Sequence, residues 1–365
     1  MTTRLVIENL KNKPMRSLLS FLLIGVPVTL ILTLQGLASG MLNDAKERAR
    51  GVGADILVRA SSTTIGVAQS ADSVKEDYVP YFRTAPHIKQ AMGVINHSID
   101  FPLIITGLNM DEFNAMSGGF TYLAGHSLRD PDDILVDKLY ARQKKLQLGA
   151  GVTLLNHNWR LVGIIDGGKL ARVVVSLKSL QDVLGTAGKV TSIYLKLDDP
   201  ANIDAVVHFI EDNTSLQAKP MEEYTEATYN MGNIPGLSEF MYVVMGIGVV
   251  IGFAVVCLSM YMAVLQRTRE IGILKAIGGS NSFILRIILA EAMVLGIGGT
   301  VLGILMSFGA WWLIRMLVPS SLSIDIVPLW WPIAGAITLV GAGLGALYPG
   351  LSAARHDPIE ALAYE

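Results

Sequence analysis

Four long stretches of this 365-residue chain contain no charged residue: Leu18 to Ala38, Phe240 to Leu265, Ala292 to Ile314 and Ile326 to Ala353. At about 1.5 Å of rise per residue, each is long enough for a helix to cross a hydrocarbon core of roughly 30 Å. Lipid offers the backbone no hydrogen-bond partners, so single segments of this kind span as helices. Composition agrees: 51% of residues are hydrophobic, 16% are charged and the mean hydropathy is +0.46, which excludes a disordered chain and an ordinary soluble enzyme. Spans are therefore expected at 18–38, 240–265, 283–318 and 326–353, with Pro319 to Asp325 as a polar break between the last two. A secretory signal is the competing reading of the first run, because Lys11, Lys13 and Arg16 precede it and Ala38-Ser39-Gly40 resembles a cleavage site. The run is longer than the usual signal core of about 7 to 15 residues, and three more spans follow it.

Basic residues are sorted by side. Arg4, Lys11, Lys13 and Arg16 precede the first span against Glu8, and Arg267, Arg269, Lys275 and Arg286 lie between the second and third against Glu270. Both stretches read as cytoplasmic. Ser39 to Glu239 carries 19 Lys+Arg and 24 Asp+Glu, a balance of 19 − 24 = −5, and reads as outside. Residues 1–17, 266–282 and the tail 354–365 are thus expected on the cytoplasmic side and 39–239 on the other. The single cysteine, Cys257, cannot form an intrachain disulfide, so the exported part must hold together by its own core.

That part reads as folded. Asn43 to Arg50 continues the first span as a charged helical stalk, and Ala54 to Val58 follows as a strand. Ile193, Leu195 and Leu197 alternate with Ser192, Tyr194 and Lys196, the period of a half-buried strand. Asp199-Pro200 then supplies a helix cap and first-turn proline, after which Ile203, Val206, Val207 and Ile210 share a face. Asn156-His157-Asn158 separates two apolar runs and predicts a hairpin, while polar Ser61 to Asp77 predicts a mobile loop. The fold class is an α-helical membrane protein with four transmembrane helices and an α+β extracytoplasmic domain inserted between helices 1 and 2.

Few residues carry chemistry. Gly163 to Lys169 has the first seven positions of a phosphate-binding loop, but Leu170 stands where a hydroxyl would hold Mg²⁺; a glycine-rich turn after a strand is the simpler reading. The histidines lack helical metal-pair spacing, so no metal site is expected. Glu291 is a carboxylate near the inner end of the third span. It reads either as part of a substrate or coupling path or as an anchor pairing with a cation such as Lys275 or Arg286. Gly299 with Gly303, and Gly341 with Gly345, allow close helix approach, within one chain or between copies. Thr2 to Lys13 forms a candidate interfacial helix ended by Pro14.

The stretch Arg267-Thr-Arg-Glu270-Ile-Gly272-Ile-Leu-Lys275-Ala-Ile-Gly278-Gly279 follows the second span, and Tyr348-Pro-Gly350-Leu-Ser-Ala-Ala-Arg355-His-Asp-Pro358-Ile-Glu360 runs from the end of the fourth into the C-terminal tail. With Asn9 to Ser17, these resemble, in order, the motifs of the FtsX/MacB-type ABC transporter permeases. The resemblance implies a membrane subunit that binds no cofactor itself, with ATP and Mg on a separate ABC ATPase dimer. It implies a second copy or a homologous permease, in some systems a periplasmic adaptor, no nucleic acid, and residence in a bacterial inner membrane. It assigns ATPase coupling to Arg267, Arg269, Glu270, Ile271, Leu274, Lys275, Ile277 and Gly278, with Ile271, Leu274 and Ile277 expected on one apolar stripe. A solvated basic loop that only fixes topology is the competing reading of this stretch. The outer domain would comprise a stalk, a porter-like part and an inserted β-rich part at about 101–170. Two functions remain open: export or extraction driven by a partner ATPase, or an FtsX-like signalling lever that activates a cell-wall hydrolase.

Overall fold

Pro14 opens a helix, α1 (Pro14–Arg50), that continues without interruption through the apolar run and the charged stretch beyond it. The computed structural model describes residues 14–61, 73–100, 103–234, 236–266, 268–317 and 323–355. The expected interfacial helix, Arg267 and the closing motif from position 356 onward lie outside these residues. The chain forms two compact units, and the division falls within α1, between Ser39 and Gly40.

The outer unit begins with β1 (Ile56–Ala60), β2 (Val74–Lys75), α2 (Tyr78–Arg83), β3 (Ile88–Asp100), β4 (Leu103–Leu108) and α3 (Met110–Ser117). It continues through β5 (Tyr122–Gly125), β6 (Asp133–Asp137), α4 (Lys138–Lys144), β7 (Gly151–Leu154), β8 (His157–Ile165), β9 (Val173–Ser176) and α5 (Leu177–Leu184). Then come β10 (Lys189–Val190), β11 (Ser192–Leu197), α6 (Ile203–Asn213), β12 (Leu216–Pro220) and α7 (Met221–Thr228). Ten strands form one mixed sheet in the order β12-β1-β11-β3-β4-β9-β6-β8-β5, with β7 also on β8; β4 and β9, and β6 and β8, run parallel.

Both faces of this sheet are covered. Ile56, Val58, Ile193 and Leu195 pack with Phe82 of α2, Tyr140 of α4, Leu180 of α5 and Ile210 of α6. On the opposite face Leu57, Met92, Val174 and Tyr194 pack with Phe113 and Met116 of α3 and Met221 of α7. Strand β11 is accordingly buried on both sides rather than on one, because Tyr194 meets the second core. The stretch 101–170 is not a sheet of its own, since β4 pairs with β3 and β9, and β6 with β9.

Local chemistry sets the element ends. Asp199 accepts from the Ala201 N–H at 2.9 Å and Pro200 starts a short 3-10 turn before α6, whose Val206 and Ile210 are buried. The β7–β8 turn is Leu155-Asn156, with φ of 56° and 57°, so His157 and Asn158 belong to β8 instead of the loop. Two consecutive positive φ values fit the right-handed twist of a two-residue hairpin. Of the expected 61–77 loop, residues 62–72 lie outside the described residues; at its end β2 pairs with β10, and Val74 is buried opposite Val190.

The membrane unit holds α8 (Leu237–Gln266), α9 (Thr268–Ala276), α10 (Asn281–Leu317) and α11 (Trp330–Arg355), together with α1 up to Ser39. Four helices among the described residues are long and apolar enough to cross a membrane: those beginning at Ser17, Leu237, Asn281 and Trp330. The apolar run from Ile326 becomes helical only at Trp330, whose N–H closes a turn onto the Val327 carbonyl at 3.0 Å. Polar contacts cross between helices from Ser20 to Ser259 at 3.0 Å and from Thr29 Oγ1 to the Gly303 carbonyl at 3.0 Å; Thr29 Oγ1 also lies 2.8 Å from the Gly25 carbonyl of its own helix.

Candidate coupling site

Between α8 and α10 the chain turns back through the nine residues of α9. Thr268 at its start donates through Oγ1 to the Val264 and Leu265 carbonyls at 3.1 and 3.0 Å, satisfying acceptors at the end of α8. At the other end Gly279 N–H bonds to Leu274 O at 2.9 Å and Gly278 N–H to Lys275 O at 3.0 Å, with Gly278 at φ 97°. This is a Schellman cap, which requires a residue at positive φ where Gly278 stands. Ser280 then caps α10, its Oγ accepting from the Phe283 N–H at 3.2 Å. A helix this short is marginal alone, so its two fixed ends matter.

One side of α9 faces the bundle. Ile271 packs against the core of Val256, Met260, Val264, Ile284 and Ile288, and Gly272 is buried. Leu274 is half-buried, whereas Ile277 is 78% exposed and Ile273 47% exposed. The expected stripe of Ile271, Leu274 and Ile277 is thus broken: the Ile277 N–H keeps the helical bond to the Ile273 carbonyl at 3.1 Å, which sets Ile277 one turn beyond exposed Ile273 and away from Ile271. Ile273, which that spacing left out, joins Ile277 on the free side. Arg269 and Glu270 lie in the first turn of α9. Lys275 Nζ donates to the Ala354 carbonyl at 2.8 Å, a cation at the C-terminal end of α11 where the helix dipole favours one. The two stretches that resemble family motifs therefore meet, a contact without a local signal in the sequence.

Glu291 is buried on the α10 face that also carries Ile288, Ala292 and Leu295, toward protein rather than lipid. Each of the paired glycines has a neighbour in the same chain. A Cβ on Gly299 would stand 2.5 Å from Ile24 Cγ2, and one on Gly303 2.6 Å from Val28 Cβ, so both serve the approach of α10 to α1. A Cβ on Gly345 would stand 2.7 Å from the Phe253 carbonyl of α8; Gly341 has ordinary room, with the Val249 carbonyl at 3.8 Å. In the outer unit the Gly163–Lys169 stretch is the end of β8 and a turn, and Lys169 Nζ donates to the Ser117 and Gly119 carbonyls at 2.8 and 2.5 Å. No group of three or more metal-ligating side chains occurs among the described residues.

Residues 17–212 match the family described as MacB-like periplasmic core domain, and residues 242–358 the one described as FtsX-like permease C-terminal. The chain is 26% identical over 392 aligned residues to the macrolide export ATP-binding/permease protein MacB of Photorhabdus laumondii subsp. laumondii, covering 96% of this chain and 59% of that protein. It thus spans little more than half of that relative. It is 24% identical to the uncharacterized ABC transporter permease YknZ of Bacillus subtilis, covering 82% of this chain and 75% of that one. The crystal structure of the periplasmic region of MacB from Actinobacillus actinomycetemcomitans aligns with 50% of this chain and 95% of that one, at 12% identity and a TM-score of 0.38.

Proposed function

We propose that this chain, which belongs to the MacB/FtsX-type family of ABC transporter permeases, is the membrane subunit through which a partner ATPase moves the outer domain. It is a multi-pass membrane protein; the drive and its direction are our reading. What carries this reading is α9: a short helix capped at its C-terminal end, packed on the bundle through Ile271, and offering Ile273 and Ile277 to solvent. An amphipathic helix of this kind docks in an apolar groove of a partner, and in this reading the charges of Arg267, Arg269 and Glu270 take part in that docking.

In this reading ATP and Mg bind an ABC ATPase dimer, and this chain binds no cofactor. Both termini lie in the cytoplasm of a bacterial cell, the spans cross its inner membrane, and the outer unit is periplasmic. Closure of the ATPase dimer pushes α9, and α8 and α1 carry the displacement outward. Four spans without an internal repeat call for a second copy or a homologous permease over the two ATPase subunits. Export or extraction is favoured over hydrolase activation by the extent of the match to the MacB-like core, residues 17–212, and by the macrolide export named for one relative. An adaptor protein fits the same picture.

The test reconstitutes the full chain with its ATPase and compares Ile277→Asp and Glu270→Gln with the parent. Both variants are expected to keep the parent's thermal stability and leave ATP hydrolysis running, while cargo no longer stimulates it. Full cargo stimulation in both would remove the coupling role from α9.

A further inference from the structure

The turn that follows α1 is poorly suited to carrying force. It contains Gly51 and Gly53, the latter at φ 75°, and a glycine-rich link lets a helix swing instead of transmitting its movement. Three contacts bypass this link, all within the outer unit. Arg172 Nη2 donates to Asp44 Oδ2 on α1 at 2.7 Å, while Nη1 donates to Asp137 Oδ2 at 2.9 Å. Asp137 is the last residue of β6 and caps α4 by accepting from the Tyr140 N–H at 2.6 Å; its own N–H donates to the Arg172 carbonyl at 2.8 Å. The Arg172 and Asp137 side chains are nearly buried, and Asp44 also pairs with Arg48 one turn along α1. The second contact is the Leu170 N–H on the Arg48 carbonyl at 2.9 Å, holding Leu170 at φ 55°, a conformation that a branched residue adopts only when its surroundings impose it. The third is steric: a Cβ on Gly51 would run into the Gly168 carbonyl, so the 167–172 segment lies directly against the end of the helix.

We infer that Arg172 is the positioning residue that fastens the outer end of α1 to β6 and β9, so that displacement of α1 reaches the sheet instead of dissipating in the Gly51–Gly53 turn. A guanidinium is suited to this because its rigid fork serves two carboxylates from two elements at once; a lysine presents one compact charge. Lys169, held by the Ser117 and Gly119 carbonyls at the end of α3, fixes the same segment as well. The use of this clamp rests on the coupling function proposed above. Its geometry does not.

Hydrogen exchange on the full chain in lipid nanodiscs tests it without any ATPase. Asp44→Asn is expected to raise exchange in 133–137 and 166–172 by about tenfold, the effect of losing one charge-assisted hydrogen bond. Arg172→Gln should do the same, and the double variant no more than either alone. Arg172→Lys should also lose protection, while Glu47→Gln, on an exposed side of α1, should change neither segment. Unaltered exchange at 133–137 in Asp44→Asn, or full protection in Arg172→Lys, would overturn the proposal; these two decide the matter if Arg172→Gln fails to fold. Silent α9 variants together with the expected exchange pattern would remove the proposed drive and leave the clamp standing.

Discussion

Gly278 shows how a motif position acquires a physical reason. Its φ of 97° closes the Schellman cap of α9, and a side chain there is strained whatever the space around it. Gly278→Ala is expected to cost about 1–2 kcal/mol and lower the melting temperature of the full chain, with Gly278→Asn less harmful because asparagine tolerates the left-handed region. Asp133 offers a test by pH. Burial alone would raise its pKa, but the N–H groups of Asp130 and Arg129, both at 2.9 Å, and the Arg160 guanidinium outweigh burial and hold it below the ordinary carboxylate range. With the folded value depressed, the unfolded chain takes up the proton first as pH falls. The stabilisation is therefore complete above about pH 5 and lost as pH drops through the folded pKa. The melting-temperature gap between the parent and Asp133→Asn should narrow from about pH 7 to about pH 3. A gap that stays constant would deny Asp133 this role.

At the scale of elements, α4 ends with Lys145 at φ 53°, exposed and strained, where helices prefer glycine. Lys145→Gly should raise the melting temperature, by about 1 kcal/mol of stability, and a fall would mean that the lysine is held for another reason. What the sequence revealed here depended on whether the signal was local. Asp199-Pro200 and the spacing of Val206 and Ile210 were enough to place α6, because capping and one buried face are written in adjacent residues. Alternation in β11 marked a strand but not that helices cover both sides of the sheet, since Tyr194 supplies apolar surface while counting as polar in the pattern. The β7–β8 hairpin was legible and its turn was misplaced by one residue, because Leu155 takes a positive φ that its side chain does not advertise. The α9 stripe failed at Ile277, because two successive steps of three residues drift around a helix of 3.6 residues per turn and leave Ile277 beside Ile273 on the exposed face.

For the whole molecule, the apolar runs and the family motifs were readable because membrane spans and short signatures are continuous in sequence. Contacts such as Lys275 to Ala354, or Arg172 between Asp44 and Asp137, join positions far apart in the chain and appear only in the fold. Gly303→Leu should separate α10 from α1, where a Cβ already meets Val28, and is expected to reduce folded yield in detergent. A yield equal to the parent's would show that α10 and α1 tolerate a wider spacing. The central claim is that α9 faces the cytoplasm and receives an ATPase. Its most direct measurement places a single cysteine at Ile277 in a Cys257→Ser background, then cross-links intact cells before purification. The predicted result is protection from a membrane-impermeant thiol reagent added outside, together with a cross-linked species that hydrolyses ATP. Labelling of that cysteine from outside the membrane would contradict it.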